Sequence, residues 1–497
     1  ALLAGGIAFG QDARFDARSA LATTGPVQAL AVADLDGDGD ADVLASDSAG
    51  GRLVWIENNS DVDPGFTVEH EVATSVIAPN EVAAADLDSD GDLDVLAASS
   101  PGTGQLVWFE NIGGVPPRFE PRAIGPRPNL ELTGVVRSIA VADLQGDGDL
   151  DLICGFQLPT SAASGHVTVY LNDGTPSPGF VRFQLPSPAA RLAEVTSVAV
   201  ADVGGDGLPD IVASSREPSP AGDADSVVAW RNTGSPGPGF VPSVVASGLD
   251  GASSLAVAQL SSDALPDLAV ALPSLDRVFV FESNAATPGT FLGPQPLLAS
   301  GVQEVVAADV VGSALSDLVA ATLAGPVVFE NLGGGALSFA ASQFAQVGGT
   351  VESIALGNLD DDGDVDVVAA GSAGAIWIER VAPIENLSTG SLHPSLEDAI
   401  AGAGAGDVLR GAPEHFVPNA VIPASAVPYE LESTGPLTLG PRVTAEVLGM
   451  TTLRSLPGTE VRIDGTISFT PGAVLAVDSA TQIALTASQV LLCTAEN

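Results

Sequence analysis

VADLDGDGDADVLAS, residues 32–46, sets an apolar run on each side of nine residues in which every second one, from Asp34 to Asp42, is an aspartate. The phrase returns as AADLDSDGDLDVLAA from Ala84, VADLQGDGDLDLICG from Val141 and GNLDDDGDVDVVAAG from Gly357. Weaker copies begin at Val200 (VADVGGDGLPDIVAS), Val257 (VAQLSSDALPDLAVA) and Ala307 (AADVVGSALSDLVAA). Counted from the first loop position (Asp34, Asp86, Asp143, Asp202, Gln259, Asp309, Asn358), the copies are spaced by 52, 57, 59, 57, 50 and 49 residues. A nearly constant period of this size identifies a repeat architecture, each copy being one supersecondary unit.

One unit reads as four short strands. In the first copy, Gln28–Asp34 enters the loop and Asp42–Asp47 leaves it; RLVWIEN (52–58) follows a glycine turn and FTVEHEVA (66–73) follows Pro-Gly. These segments are rich in Val, Ile, Phe and Trp and are bounded by Gly, Asp, Asn or Pro, as antiparallel strands are. Four strands per unit, repeated radially, make a β-propeller blade. The seventh unit ends at AIWIER (375–380) without an outer strand, while FDARSALA (15–22) resembles FTVEHEVA. The N-terminal strand is therefore expected to complete the last blade and remove the open sheet edges. The predicted fold is all-β: a seven-bladed β-propeller over residues 13–382, preceded by an apolar leader or docking segment at 1–12.

The loops read as cation sites. Calcium takes six to eight hard oxygens at about 2.3–2.6 Å, and alternate residues of a tight loop can aim them inward. The candidate ligands are Asp34, Asp36, Asp38, Asp40 and Asp42 in the first loop, and Asp86, Asp88, Asp90, Asp92 and Asp94 in the second. The third offers Asp143, Gln145, Asp147, Asp149 and Asp151, and the seventh Asn358, Asp360, Asp362, Asp364 and Asp366. Gln145 and Asn358 keep an oxygen where the first two loops have aspartate. A main-chain carbonyl at the seventh position adds another ligand, and glycine at the sixth permits the turn. Position 12, where an EF-hand needs glutamate, is Ala45 or Ala97, and a strand follows instead of a helix.

The remaining loops are depleted. The fourth keeps Asp202, Asp206, Asp210 and the carbonyl of Leu208 but has Gly204 at the third position, which leaves two readings open, a fifth ion or none. The fifth and sixth place Gln259, Ser261 and Asp263, or Asp309, Val311 and Ser313, at the first three ligand positions and lose the glycine to Ala264 and Ala314. These two are expected to close without metal. Two carboxylates about 4 Å apart repel by about 4 kcal/mol at an effective dielectric of 20, so the full loops call for a cation. The expectation is four calcium ions, with the fourth loop the candidate for a fifth.

This loop pattern, recurring in register with strands, resembles the FG-GAP/VCBS repeat family, whose calcium-loop propellers include the integrin α-subunit head. The FG and GAP signatures are absent from the seven repeats, so the nearer likeness is to bacterial secreted VCBS-type repeats. The resemblance implies an extracellular location, calcium for stability and roles in adhesion or surface assembly. The family also includes domains attached to polysaccharide-degrading enzymes.

Composition narrows the function. The net charge is −45, with 62 acidic residues against 17 arginines and no lysine. Nucleic-acid binding needs a basic surface and is set aside. Of the acids, 26 lie inside the seven loops, so the charge is organised instead of spread along a disordered tail. No apolar run reaches the ~18–20 residues that span a bilayer. The opening ALLAGGIAFGQDARF reads as the end of a secretory leader. Cys154 and Cys493 read as two buried thiols.

After a linker at 383–393 the period breaks. Residues 394–497 begin with a helix start at Ser395, Glu397 and Asp398. Short strands follow (PLTLG, RVTAEVLG, TEVRIDGTISF, AVLAVDSA), which resembles the cap and first rungs of a right-handed parallel β-helix. A solenoid end without a polar cap continues or stacks on a partner. No G-x-S-x-G, H-E-x-x-H or phosphate loop occurs, and His70, His166, His393 and His415 are scattered. The chain is therefore read as a non-enzymatic, secreted, calcium-stabilised structural or adhesive protein whose partners are other copies of itself or cell-surface glycans. The alternative is a carbohydrate-binding or polysaccharide-lyase-associated module using either Trp55, Trp108 and Trp377, which share one strand face, or the flank of the β-helix.

Overall fold

A computed structural model describes residues 15–21, 26–47, 51–59, 66, 68–74, 79–99, 105–122, 124, 134–157, 165–186, 188, 192–216, 225–234, 239–311, 315–334, 337–344, 350–360 and 364–380. Beyond these it describes residue 388 and the C-terminal strands named below. The chain divides into two compact units, the larger built on Ala17–Glu379 and the smaller on Arg380–Asn497. Among the described residues the only helical turn is the 3₁₀ segment Pro273–Leu275, and no helix is long and apolar enough to cross a membrane.

The larger unit repeats one antiparallel sheet. In the first copy the strands Val27–Ala33, Asp42–Asp47, Arg52–Glu57 and Val68–Ala73 pair in chain order. The first, inner strand recurs as Pro79–Ala85, Val135–Ala142, Glu194–Ala201, Ser254–Ala258, Val302–Ala308 and Val351–Gly357. The sheet that begins at Val351 takes its fourth strand from the other end of the chain, Phe15–Ala20, which lies beside Gly374–Arg380. Leu21 continues this pairing by donating its N–H to the Ala375 carbonyl at 2.9 Å. The third and fourth sheets are joined by one further pair, Gln157 with Glu194.

Burial explains why these short runs hold. All six residues of Asp42–Asp47 are buried, as are those of Asp267–Leu272, Asp317–Thr322 and Asp366–Gly371. Successive residues of a strand point to opposite faces. Thus Val43 packs with Val368 and Trp377 of the seventh unit, whereas Leu44 packs with Val95 and Phe109 of the second. Every sheet is covered on both sides by its neighbours, which is why its central strand reads as an unbroken apolar run. The outer strands are partly exposed, Val68–Ala73 burying only Val72. Each inner strand packs on the next, and Val351–Gly357 packs on Val27–Ala33, so the contacts run in a closed cycle.

A β-bulge recurs near the start of the inner strand, for example between Pro79 and Glu81, Val136 and Ser138, and Val302 and Glu304. A bulge re-aims the side chains beside it. Asn80, Glu81, Arg137, Glu194, Glu304 and Glu352 thereby line a polar cavity of about 260 Å³ where the inner strands meet.

In the smaller unit the pairing switches to parallel. Val408–Gly411, Tyr429–Ser433, Met450–Ser455 and Val474–Val477 form one parallel run. Leu437–Leu439, Glu460–Ile463 and Gln482–Leu485 form a second, and Thr444–Val447 with Thr466–Phe469 a third. Ile384–Asn386 and Ser391–His393 add a short antiparallel edge. The leader at 1–12, the helix start at Ser395 and Cys493 fall outside the described residues.

Candidate metal centres

Each aspartate loop joins an inner strand to a second strand whose first residue, the ninth of the loop, is buried, so the two ends of the loop are fixed by the sheet. In the first loop, carboxylate oxygens of Asp34, Asp36 and Asp42 all lie within 4.8 Å of one another; in the second, those of Asp86, Asp88 and Asp90 do. Two oxygens bound to one calcium at about 2.4 Å can stand no further apart than about 4.8 Å, so both triads fall within the span one calcium ion allows. Asp36 is pushed above the usual carboxylate range by burial and then by the charge of Asp38. Asp88 is pushed up by burial and then by Asp90. Buried oxygens also stand without hydrogen-bond partners, Oδ1 of Asp88 and Oδ1 of Asn358 among them. Orphaned buried acceptors beside crowded carboxylates are what a hard cation would satisfy.

The first-position aspartate shapes the loop. Asp34 accepts the N–H groups of Gly37 at 2.8 Å and Gly39 at 3.1 Å, and Asp86 those of Asp90 and Gly91. Asp143 sits below its ordinary range: burial raises it, but the N–H groups of Gly148, Gly146, Asp147 and Gln145 outweigh that. The fold places Asp38, Asp40, Asp90, Asp92, Asp147, Asp149, Asp206 and Leu208 along the outer turn. There Asp38 accepts from Asp40 N–H, Asp90 from Asp92, Asp147 from Asp149, and Asp206 from Leu208. Exposed Gln145 turns its amide toward Asp147 at 3.4 Å. Asp202 accepts from Asp206 and Gly207, as its counterparts do. Asp360 and Asp364 lie in the seventh loop, and Asp362 falls outside the described residues. The turn needs left-handed backbone at its fourth as well as its sixth position: φ is +74° at Gly37, +105° at Gly39, and +60° at Ser89.

The ninth position does more than offer a ligand. Asp42 is fully buried; its Oδ2 accepts Leu35 N–H at 2.9 Å and its Oδ1 accepts Asn58 N–H at 2.8 Å. Asp94 and Asp151 repeat both bonds, to Leu87 and Asn111 and to Leu144 and Asn172. Asp210, Asp267 and Asp317 do the same work in the depleted units, and Asp366 accepts from Leu359. Burial pushes Asp42 and Asp94 up to about 7 and Asp151 to about 6.

The asparagine closing the third strand is the residue the loop pattern does not announce. Asn111 Nδ2 donates to the Leu35 carbonyl of the preceding unit at 3.1 Å and to Leu93 at 3.2 Å. Asn172, Asn232 and Asn331 reach Leu87, Leu144 and Leu260 in the same way. Where Ser283 replaces the asparagine, Gly289 N–H takes over the waiting Val203 carbonyl at 2.9 Å. The asparagine was visible in LVWIEN, LVWFEN, VTVYLN, VVAWRN and PVVFEN, always after the aromatic run.

The depleted loops carry their own donors. Gln259 Nε2 bonds the carbonyls of Ser261 at 2.7 Å and Asp263 at 2.5 Å, drawing the fifth loop together with an amide. The tryptophans offered as a sugar platform are inside: Trp55, Trp108 and Trp377 are 0%, 3% and 3% exposed. Trp55 stacks on His70, while Trp108 and Trp377 meet Phe180 and Phe66 edge-on. They pack between sheets and present no face to a ligand. Cys154 is buried and free, its thiol pushed up by burial.

No curated protein sequence matches the chain. Among solved structures it is similar to BBS1N in complex with ARL6DN, at 12% identity and a TM-score of 0.48, covering 74% of this chain and 97% of that one. It is also similar to an Agrocybe aegerita lectin that recognises non-reducing terminal N-acetylglucosamine, at 18% identity and a TM-score of 0.42, covering 64% of this chain and 81% of that one. Residues 34–97 and 86–154 match the FG-GAP-like repeat model, so the stretch carrying the first, second and third loops consists of FG-GAP-like repeats.

Proposed function

We propose that this chain is an extracellular, calcium-stabilised structural or adhesive protein. In this reading a seven-bladed β-propeller holds calcium in its first, second, third and seventh loops and is joined to a β-helix-like domain. It acts without catalysis, through its surfaces, as a subunit of a homopolymeric surface assembly. The observation that carries the reading is the double duty of Asp42. It stands in the triad with Asp34 and Asp36, and it also fixes Asn58, whose side chain bonds the neighbouring sheet. An ion held by that triad would stiffen the contact between blades as well as its own loop. The FG-GAP-like repeats support an adhesion-type role.

Electron microscopy of the purified chain, in millimolar calcium and after chelation, tests the proposal. Ordered polymers that fall apart on chelation are the expected result, and removal of Ala1–Gly10 should abolish them while the propeller stays folded. Dispersed monomers under both conditions would remove assembly and leave only the calcium-stabilised fold. A glycan-binding screen would then take up the carbohydrate reading, which has lost its tryptophan platform.

A further inference from the structure

The fourth loop lacks a third-position ligand, because Gly204 stands there. The space beside it holds the end of Arg231. Arg231 Nη2 donates to Asp206 Oδ2 at 3.1 Å. A Cβ built on Gly204 would lie 3.0 Å from Arg231 Nε, 3.1 Å from Nη2 and 3.2 Å from Asp210 Oδ2. The guanidinium therefore rests against the main chain at the very position where Asp36 and Asp88 project carboxylates in the first two loops. A second glycine clears its stem, since a Cβ on Gly289 would come within 2.9 Å of Arg231 Cδ.

The strand register sharpens the point. Ile56, Phe109 and Trp230 pair with Val43, Val95 and Ile211, so the next residues, Glu57, Glu110 and Arg231, are equivalent. Glu330 and Glu379 hold the same place in the sixth and seventh units. Where the metal-type second loop has Glu110, close enough to raise Asp88, the fourth has a positive charge. Ligand lost, glycine gained and charge reversed all occur in one unit. A permanent cation tethered beside Asp206 and Asp210 offsets one of the loop's three negative charges (Asp202, Asp206 and Asp210) and repels a second cation.

We propose that Arg231 is a built-in replacement for calcium, making the fourth loop calcium-independent. The proposal rests on reading the first, second, third and seventh loops as calcium sites, and its test separates the two ideas. Bound calcium per chain would be counted by atomic emission after dialysis at fixed free calcium, for the wild type, D206N and the double variant G204D/R231E. D206N is expected to bind as many ions as the wild type, and the double variant one more. A loss of one ion in D206N would show that the wild-type loop holds calcium, and no gain in the double variant would show that Arg231 is not what excludes it; either overturns the proposal. If the double variant does not fold, urea unfolding of R231Q in chelator decides. Its midpoint should fall below that of the wild type, because three acids have lost their cation, and an unchanged midpoint overturns the proposal. A wild-type count of zero would bring down the calcium reading of the other loops while leaving this urea comparison valid.

Discussion

Asn58 donates from Nδ2 to the carbonyl of Leu359 at 2.7 Å, joining residues 301 positions apart in the chain. The same side chain also reaches the Ala41 carbonyl at 3.2 Å. This is the clamp that Asn111, Asn172, Asn232 and Asn331 form between successive sheets, here linking the first unit to the seventh. It closes the cycle of inner strands with a bond buried from water.

Removing that side chain strands the Leu359 carbonyl, and an unsatisfied buried polar group costs about 1–3 kcal/mol. Asn58→Ala is expected to lose stability of that order, measured by urea unfolding monitored through tryptophan fluorescence. Ser283→Ala should lose less, because Gly289 N–H already serves the Val203 carbonyl there. Equal losses at the two sites would contradict the clamp.

Asp317 separates the structural role of the ninth position from any metal. Its loop keeps only Asp309 of the other aspartates, yet Asp317 accepts Val311 N–H at 2.9 Å and Asn331 N–H at 2.7 Å. Hydrogen bonds to a charged group contribute about 1.5–3 kcal/mol each. Asp317→Ala is therefore expected to destabilise by several kcal/mol, equally in calcium and in chelator. A loss seen only in calcium would place an ion in the sixth loop.

The bulged inner strands make stability depend on pH. Glu81 is pushed up to about 8 by burial and then by the charge of Glu304; burial pushes Glu304 to about 7 although it accepts Ile354 N–H. Both carboxyls start from 4.5 in the unfolded chain. The folded protein thus binds more protons than the unfolded one between about pH 4.5 and 8, and stability falls as pH rises through 7 and 8. Thermal midpoints measured in saturating calcium should drop from pH 6 to pH 9. Glu81→Gln with Glu304→Gln should flatten that slope, and an unchanged slope would assign it elsewhere.

What could be read from the chain and what could not divides along a physical line. The loop aspartates were legible because alternation over nine residues is a local pattern, and the apolar run VLAS after Asp42 marks a strand covered on both faces. Asn58 recurs just as plainly, but its partner lies in another unit, so its spacing within the repeat carries no signal. Glu81 and Glu304 were hidden for a different reason. A bulge breaks the period of two, and which face such a residue takes is decided by the pairing. Trp55, Trp108 and Trp377 were legible as a shared strand face, but that face is packed against the next sheet.

Calcium itself is tested at Asp36 and Asp88, which belong to the two triads and have no part in the sheet clamps. Replacing either by asparagine removes charge from a crowded loop, so in chelator the variant should be as stable as the wild type or slightly more so. In calcium the order should reverse. A ligand that binds only the folded state stabilises it by RT ln(1 + [L]/Kd), about 2.7 kcal/mol at a hundredfold excess over Kd. Weakening one site forfeits a share of that gain, so calcium should raise the melting temperature of Asp36→Asn less than that of the wild type. Asp36→Asn combined with Asp88→Asn should respond least. Identical calcium responses in all three proteins would mean that these loops stay solvated acidic turns.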